Sequence, residues 1–195
     1  MSATPAGTAD DSVGEREAPP LTRMGPLLVA FAVGSAVAIG LGLYGRLHDP
    51  TGQAINLAGF SSGLAVKAWL TTVAFVLGLV QLFTALIMYG RIKVSGAWVP
   101  PVHRWSGRLA AAFTVPVAVH CLYALGFQGY SGRVLVHSLL GCFFFGAFVT
   151  KMLILTRDDS PGWALPALGG TVFSGLTALW MTASLWFFTT NGLTL

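Results

Sequence analysis

Residues 107–155 read GRLAAAFTVPVAVHCLYALGFQGYSGRVLVHSLLGCFFFGAFVTKMLIL, two long apolar runs joined by the short polar segment 128–133. Each run is close to the ~20 residues that an α-helix needs to cross the ~30 Å hydrocarbon core of a bilayer. Because lipid offers the backbone no hydrogen-bond partners, such runs must be helical. The stretch therefore predicts an antiparallel pair of membrane-spanning helices.

The composition of the whole chain agrees with that prediction. Hydrophobic residues make up 54% of the sequence and charged residues only 9%, whereas a soluble domain carries roughly 25% charged residues. The net charge of +4 is scattered at the ends of apolar runs, so it indicates no nucleic-acid-binding surface. The two cysteines, Cys121 and Cys142, show neither CxxC nor CxxCH spacing and are expected to be buried thiols. We expect an integral membrane protein in contact with lipid.

The same criteria divide the chain into a tail and five spans. Residues 1–22 are rich in Ala, Pro, Ser, Thr and acidic residues and have no apolar periodicity, so a disordered cytoplasmic tail is expected. The apolar run after Arg23 is longer than a signal-peptide core and is expected to remain as an anchor. The expected fold is an all-α five-helix bundle over residues 23–190, with spans at about 24–45, 66–88, 107–127, 134–155 and 163–188.

The distribution of Lys and Arg predicts the orientation of this bundle. Eight of these residues fall on one side of the predicted spans, against Arg46, Lys67 and Arg133 on the other. Short loops rich in Lys and Arg stay in the cytoplasm. We therefore expect the N-terminus and the loop 89–106 inside and the C-terminus outside, in a multi-pass protein of the cell (plasma) membrane.

Two histidines, His120 and His137, lie within these spans, in a stretch that has no acidic residue from position 50 to 157. An ionisable group in hydrocarbon is costly and is by default a functional hypothesis. At 1.5 Å per residue both lie roughly 5–10 Å below the outer surface, on antiparallel helices. Neutral imidazoles on two facing helices are the ligand set of a bis-histidine haem b. We expect both to bind one haem iron; the alternative is that both are structural histidines bonded to nearby carbonyls or to each other.

Haem ligation sets a geometric requirement, because the axes of the two helices must lie well beyond the ordinary contact distance of roughly 8–10 Å. Pro116, which interrupts helical hydrogen bonding, and the glycine-rich hairpin are candidate sources of that separation. His48, in the outer loop, is an alternative ligand. His103 lies 17 residues before His120, about 100° off its helical face, so it is a weaker candidate that we expect haem binding not to require.

Four further polar residues fit a cofactor site. Lys67, Arg133 and Arg46 lie near the level where the propionates of an outer-leaflet haem would emerge, and charge-assisted hydrogen bonds from them would hold those groups. The alternative is ordinary snorkelling of long cations to the membrane interface. Gln81, deep in the second span, either bonds across helices or binds the carbonyl of a quinone.

Other chemistries have less support in the sequence. A serine or cysteine hydrolase needs an acidic residue to orient its histidine, and a zinc site takes a closer cluster of His, Cys and acidic residues. A proton or ion pump strings carboxylates through its helix bundle. The spans of this chain carry no Asp or Glu.

Short motifs around the histidines resemble those of a known class of membrane protein. The stretch 103–109, HRWSGRL, followed by His120 and by VHSLLG at 136–141, resembles the H-R-x-x-G-R and H-x-x-x-G helices of cytochrome b-561 and ferric-reductase-like transmembrane haem proteins. The resemblance covers about residues 100–157 and implies membrane redox chemistry, with His120 and His137 as axial ligands. A second histidine pair is missing from the spans, which departs from the two stacked haems of that class. The closing span is similar to that of an uncharacterised family of bacterial five-span proteins.

Two functions remain open from the sequence. The first is a b-type haem electron-transfer subunit of a membrane oxidoreductase, passing electrons between a membrane quinol and an extracytoplasmic redox protein. The second is a non-haem helical scaffold or accessory subunit whose histidines are structural.

Overall fold

A computed structural model of the protein describes residues 20–53, 56 and 59–195. Within these ranges the chain is helical and contains no strand. The helices are α1 (Pro20–Leu47), α2 (Gly63–Met88), α3 (Val99–His120), α4 (Gly132–Leu155), α5 (Ala164–Trp180) and α6 (Trp186–Asn191). A first π-helical segment, Cys121–Leu125, continues α3, and a second π-helical segment, Met181–Leu185, joins α5 to α6.

Five helical units are long and apolar enough to cross a membrane, which confirms the predicted all-α, five-span class for the described part of the chain. The helix α3 and the first π segment together form one span, and α5, the second π segment and α6 together form another. The five units are Met24–Leu47, Gly63–Met88, Val99–Leu125, Gly132–Leu155 and Ala164–Asn191.

Two of the predicted boundaries differ from the structure. The helix α1 begins at Pro20, inside the segment 1–22 that was expected to be a tail, and the rest of that segment lies outside the described residues. The helix α3 begins at Val99 rather than near residue 107. The first amides of a helix have no partner within it, so prolines there cost no hydrogen bond, and Pro100 and Pro101 lie inside α3 as its second and third residues instead of preceding it. The helix therefore extends beyond the apolar run from which its start was predicted.

The spans pack as a ring in the order α3, α2, α5, α4, α1, and the first π segment closes the ring by contacting α1. The helices α3 and α4, although adjacent in sequence, are not packing partners, because α1 lies between them on one side and α2 with α5 on the other. Pro116 lies within α3, which continues through it. The ring order alone thus separates α3 from α4. We call the end of the bundle where residues 126–131 join them the hairpin end.

Small residues bring α1 and α4 into close contact. A Cβ added at Gly146 would lie 2.6 Å from the Gly34 carbonyl oxygen and 2.9 Å from Ala38 Cβ. Thr150, one turn further along α4, donates its hydroxyl to the Gly146 carbonyl at 3.0 Å and lies 3.3 Å from the Ala30 carbonyl of α1. Close backbone approach through small residues is the usual packing mode of helices in membranes.

Backbone hydrogen bonds tie the ring together at the hairpin end. The Phe127 amide donates to the Gly45 carbonyl at 2.6 Å. Gly126 has a φ of +69°, and a Cβ there would lie 2.9 Å from the same carbonyl oxygen, so this position favours glycine on both grounds. The amides of Thr51 and Gly52 donate to carbonyls of the first π segment at 3.3 and 3.0 Å. The loop after α1 is therefore fastened to the end of α3.

We predict that Gly146→Ala destabilises the protein, because the added methyl group cannot fit against Gly34 without moving α1 away from α4. Overpacking of this kind costs about 1–3 kcal/mol. Gly40→Ala is the matched control, since a Cβ at Gly40 of α1 meets no atom within 4 Å. Thermal unfolding in detergent should show a lower midpoint for Gly146→Ala only. Equal midpoints in the two variants would contradict the close packing of α1 on α4.

Candidate functional site

A cavity of about 630 Å³ lies at the hairpin end and is lined by residues of all five spans. Ligand sites commonly have volumes of roughly 300–1,000 Å³ and mostly apolar walls with a few placed polar groups. The walls here are mostly aliphatic and aromatic, and the ionisable groups among them include Lys67, Arg133 and His137. No carboxylate lines the cavity in the described part of the chain. The cavity therefore combines an apolar interior with a positively charged polar portion.

The start of α4 places two of these groups on one face. Ser131 caps the helix by accepting a hydrogen bond from the Val134 amide at 3.4 Å. Arg133 consequently lies in the first turn of α4, and His137 follows four residues later. Residues four apart lie one above the other on a helix, so both reach the same cavity.

His137 is held through one of its ring nitrogens. Its Nδ1 atom lies 2.9 Å from the Thr182 hydroxyl oxygen. The same hydroxyl also lies close to two backbone carbonyls of α5, with the Ala178 oxygen at 2.8 Å and the Leu179 oxygen at 3.2 Å. With its proton on either carbonyl, the Thr182 oxygen accepts from Nδ1, and the lone pair of a neutral His137 is then on Nε2, the form of the ring that binds a metal through that atom. His137 lines the cavity.

Arg133 is fixed from two directions. Its Nη1 atom donates to the Thr182 carbonyl oxygen at 2.7 Å. Its guanidinium carbon lies 3.8 Å from the centre of the Trp186 ring, a cation–π contact. These contacts leave other N–H groups of the guanidinium available to an anion in the cavity.

Lys67 approaches the same cavity from α2, on the other side of the ring from α4. The backbone there is regular, and the Thr71 hydroxyl donates to the Lys67 carbonyl at 2.8 Å. With Arg133, Lys67 makes the cavity a site for a molecule that joins an apolar body to an anionic end. The structure therefore brings together three of the residues that the sequence singled out.

His120 lies beside the cavity rather than in its wall. Its neighbours Val117, Ala118 and Cys121 line the cavity, whereas the His120 ring is 9% exposed and is not part of that lining. Its Nε2 atom is buried and has no hydrogen-bond partner among the described residues. A buried polar atom without a partner costs about 1–3 kcal/mol.

Two other candidates lie outside the cavity wall. The His48 ring stacks between Tyr44 and Tyr123, with ring centres 5.0 and 5.1 Å away, and its Nε2 lies 3.2 Å from the Tyr123 carbonyl oxygen. This histidine fastens α1 to the first π segment. Arg46, the third cation expected near the propionates, is exposed and is not among the residues that line the cavity. Gly45 is the α1 residue that meets Phe127, and Arg46, next in the helix, projects in another direction.

The remaining candidates lie toward the opposite end of α3. The Gln81 amide donates to the Ser106 hydroxyl at 2.8 Å and also to the His103 carbonyl, which confirms the predicted bond between helices. The His103 Nδ1 atom lies 2.8 Å from the Thr84 hydroxyl. Since the Gln81 amide nitrogen is used in packing α2 against α3, the structure does not present it as a quinone ligand.

Two residues that contact the candidate groups were not found from the sequence. Thr182 contacts both His137 and Arg133, and Trp186 stacks on Arg133. Several threonines of this chain donate their hydroxyl proton to the backbone carbonyl four residues earlier in the same helix, as Thr84 and Thr177 do. Sequence alone therefore gave no reason to single out Thr182.

A family model matches residues 27–195. The chain belongs to DUF6529, a family of unknown function. All residues that line the cavity fall within the matched region. No curated protein and no solved structure matches the chain significantly. In the described ranges this DUF6529 protein has no group of three or more His, Cys, Asp or Glu side chains placed to share a metal ion.

We predict that the hairpin end of the DUF6529 protein faces the outside of the cell, because cations are fewer on that side. Tyr130 is 79% exposed there, and Ser95 is exposed in the loop between α2 and α3. In a background with Cys121 and Cys142 replaced by alanine, Tyr130→Cys should react with an impermeant maleimide in intact cells. Ser95→Cys should react only after permeabilisation. The opposite pattern would place the cavity at the cytoplasmic side.

Proposed function

We propose that this DUF6529 protein is a membrane-embedded b-type haem electron-transfer subunit that binds its haem in the cavity at the hairpin end. The observation that carries the proposal is the placement of His137, which lines a mostly apolar cavity and has its Nδ1 atom 2.9 Å from the Thr182 hydroxyl oxygen. A ligating histidine usually has its other ring nitrogen bonded in this way.

The buried Nε2 atom of His120 supports a second ligand from α3. Ligation to iron would give that nitrogen the partner it lacks among the described residues. The helices α3 and α4 are not among the closely packed pairs of the ring, and this arrangement favours the separation that two axial ligands need. Since His120 lies beside the cavity wall, we propose that its side chain turns into the cavity when haem binds.

The charges of the cavity match the two ends of haem b, an apolar macrocycle with two carboxylates. The apolar walls suit the ring, and Lys67 and Arg133 suit the propionates. Arg46 has no part in this arrangement. Among the described residues, no Asp or Glu lines the cavity beside Lys67 and Arg133. No carboxylate of that lining therefore competes with the propionates for these two cations.

Haem supplies a one-electron redox centre when it is bound. The residues of the chain position the haem and tune it. Thr182 orients His137, and the apolar walls exclude water. Lys67 and Arg133 favour the more negatively charged oxidation state of the bound haem. We further propose that a membrane quinol is the electron donor and that a redox protein docks at the hairpin end as acceptor. Location in the plasma membrane is part of the same proposal.

We predict that the protein purified from cells supplied with haem shows the sharp reduced α band of low-spin haem. His137→Ala should abolish haem binding. His120→Ala should abolish it too or convert it to a five-coordinate, high-spin spectrum, because one axial ligand is lost. His103→Ala and His48→Ala are the controls and should keep the low-spin spectrum, since His103 lies beside Thr84 toward the opposite end of α3 and the His48 Nε2 atom lies 3.2 Å from the Tyr123 carbonyl oxygen.

Retention of the low-spin spectrum in both His137→Ala and His120→Ala would remove the assignment. A wild-type protein that binds no haem would favour the non-haem scaffold, in which the histidines serve packing only.

We also predict that Lys67→Met and Arg133→Met each speed haem loss to apomyoglobin by about tenfold, since a hydrogen bond to a charged group contributes about 1.5–3 kcal/mol. Arg46→Met is the matched control, because it removes a cation of the same end that does not line the cavity. It should leave the rate unchanged. If the three variants behave alike, Lys67 and Arg133 do not hold the propionates.

A further inference from the structure

Two ionisable groups of the cavity converge on one uncharged residue. The Thr182 hydroxyl oxygen lies 2.9 Å from His137 Nδ1, and the Thr182 carbonyl accepts from Arg133 Nη1 at 2.7 Å. Thr182 lies in the second π segment, Met181–Leu185, where the regular ladder of helical hydrogen bonds is interrupted. Single π turns inside α-helices are frequent at functional sites.

The proton count at Thr182 makes its effect on His137 directional. A hydroxyl has one proton, and the Ala178 and Leu179 carbonyls lie 2.8 and 3.2 Å from the Thr182 hydroxyl oxygen, within reach of that proton. With the proton on either carbonyl the oxygen accepts from His137, and a neutral imidazole that donates from Nδ1 keeps its lone pair on Nε2. Without this hydroxyl, His137 Nδ1 would have no hydrogen-bond partner there that favours one tautomer over the other.

We infer that Thr182 is the positioning residue of the cavity, which fixes His137 in the tautomer whose Nε2 can ligate a metal. The inference rests on the ligand role proposed for His137, but its first consequence is a property of the protein without haem. The Thr182 carbonyl also accepts a hydrogen bond from Arg133. One residue therefore sets the spacing between the ligating nitrogen of His137 and the anion-binding guanidinium of Arg133.

The test uses the full-length protein, labelled with ¹⁵N-histidine and reconstituted in lipid bilayers without haem. The His137 ring signals are assigned by their loss in His137→Gln. The wild type should show a protonated Nδ1 and an unprotonated Nε2. Thr182→Val keeps the shape and the carbonyl but removes the hydroxyl, and should raise the population of the Nε2–H tautomer about fivefold, as expected for losing a hydrogen bond of about 1 kcal/mol.

Two variants serve as controls. Thr182→Ser keeps a hydroxyl and should keep the wild-type tautomer. Thr177→Val removes another hydroxyl of α5 that bonds to its own helix, at 2.9 Å from the Phe173 carbonyl, and does not line the cavity. It should leave His137 unchanged.

The same variants loaded with haem give a second reading. Thr182→Val should weaken haem binding about fivefold and raise the midpoint potential, because an imidazole without an acceptor at Nδ1 is a poorer electron donor to iron. A His137 tautomer that is unchanged in Thr182→Val, or a wild type protonated at Nε2, would overturn the inference. Failure of every variant to bind haem would instead overturn the proposed function and leave the tautomer result standing.

Discussion

The bundle is governed by the need of every polar group surrounded by hydrocarbon to find a partner inside the protein. Threonines along the spans return their hydroxyl protons to the backbone, and Gln81 joins α2 to α3. Carbonyls of both π segments are satisfied from outside their own helix, by the loop after α1 and by Arg133. Among the described residues two buried side-chain atoms lack a partner, His120 Nε2 and Ser184 Oγ. One residue directly precedes the first π segment and the other lies in the second.

The cavity follows from which helices are bound tightly. The pair α1 and α4 meets through glycines, and the pair α2 and α3 through the Gln81 network. With α5 joining the two pairs, the sequence neighbours α3 and α4 are left on separate sides of the ring. Backbone hydrogen bonds of Gly45 and of the loop after α1 fasten α1 to the end of α3. These bonds close the ring at the hairpin end. The space that remains between the spans is the cavity.

Hydropathy predicted the class and the number of spans, because a long apolar run in lipid has one structural solution. It missed the start of α3, where prolines and basic residues precede the apolar run but still form helix. Ionisable groups within apolar surroundings drew attention to His137, Lys67 and Arg133, and the structure places all three in the lining of one cavity. The placements of His120 and Arg46 depend on how each helix is rotated in the ring. Spans that are apolar all round carry little periodicity from which to predict that rotation.

The two contacts that fix Arg133, with Trp186 and with the Thr182 carbonyl, also determine how the cavity responds to a change of charge. A guanidinium surrounded by water is free to reorient as nearby charge varies, and its solvent shell must rearrange with it. Here an aromatic face and a backbone carbonyl fix the group. The electric field in the cavity is thus set before any ligand arrives, and preorganised polar groups of this kind need no rearrangement at the moment of reaction. An electron entering such a cavity would meet a small reorganisation energy.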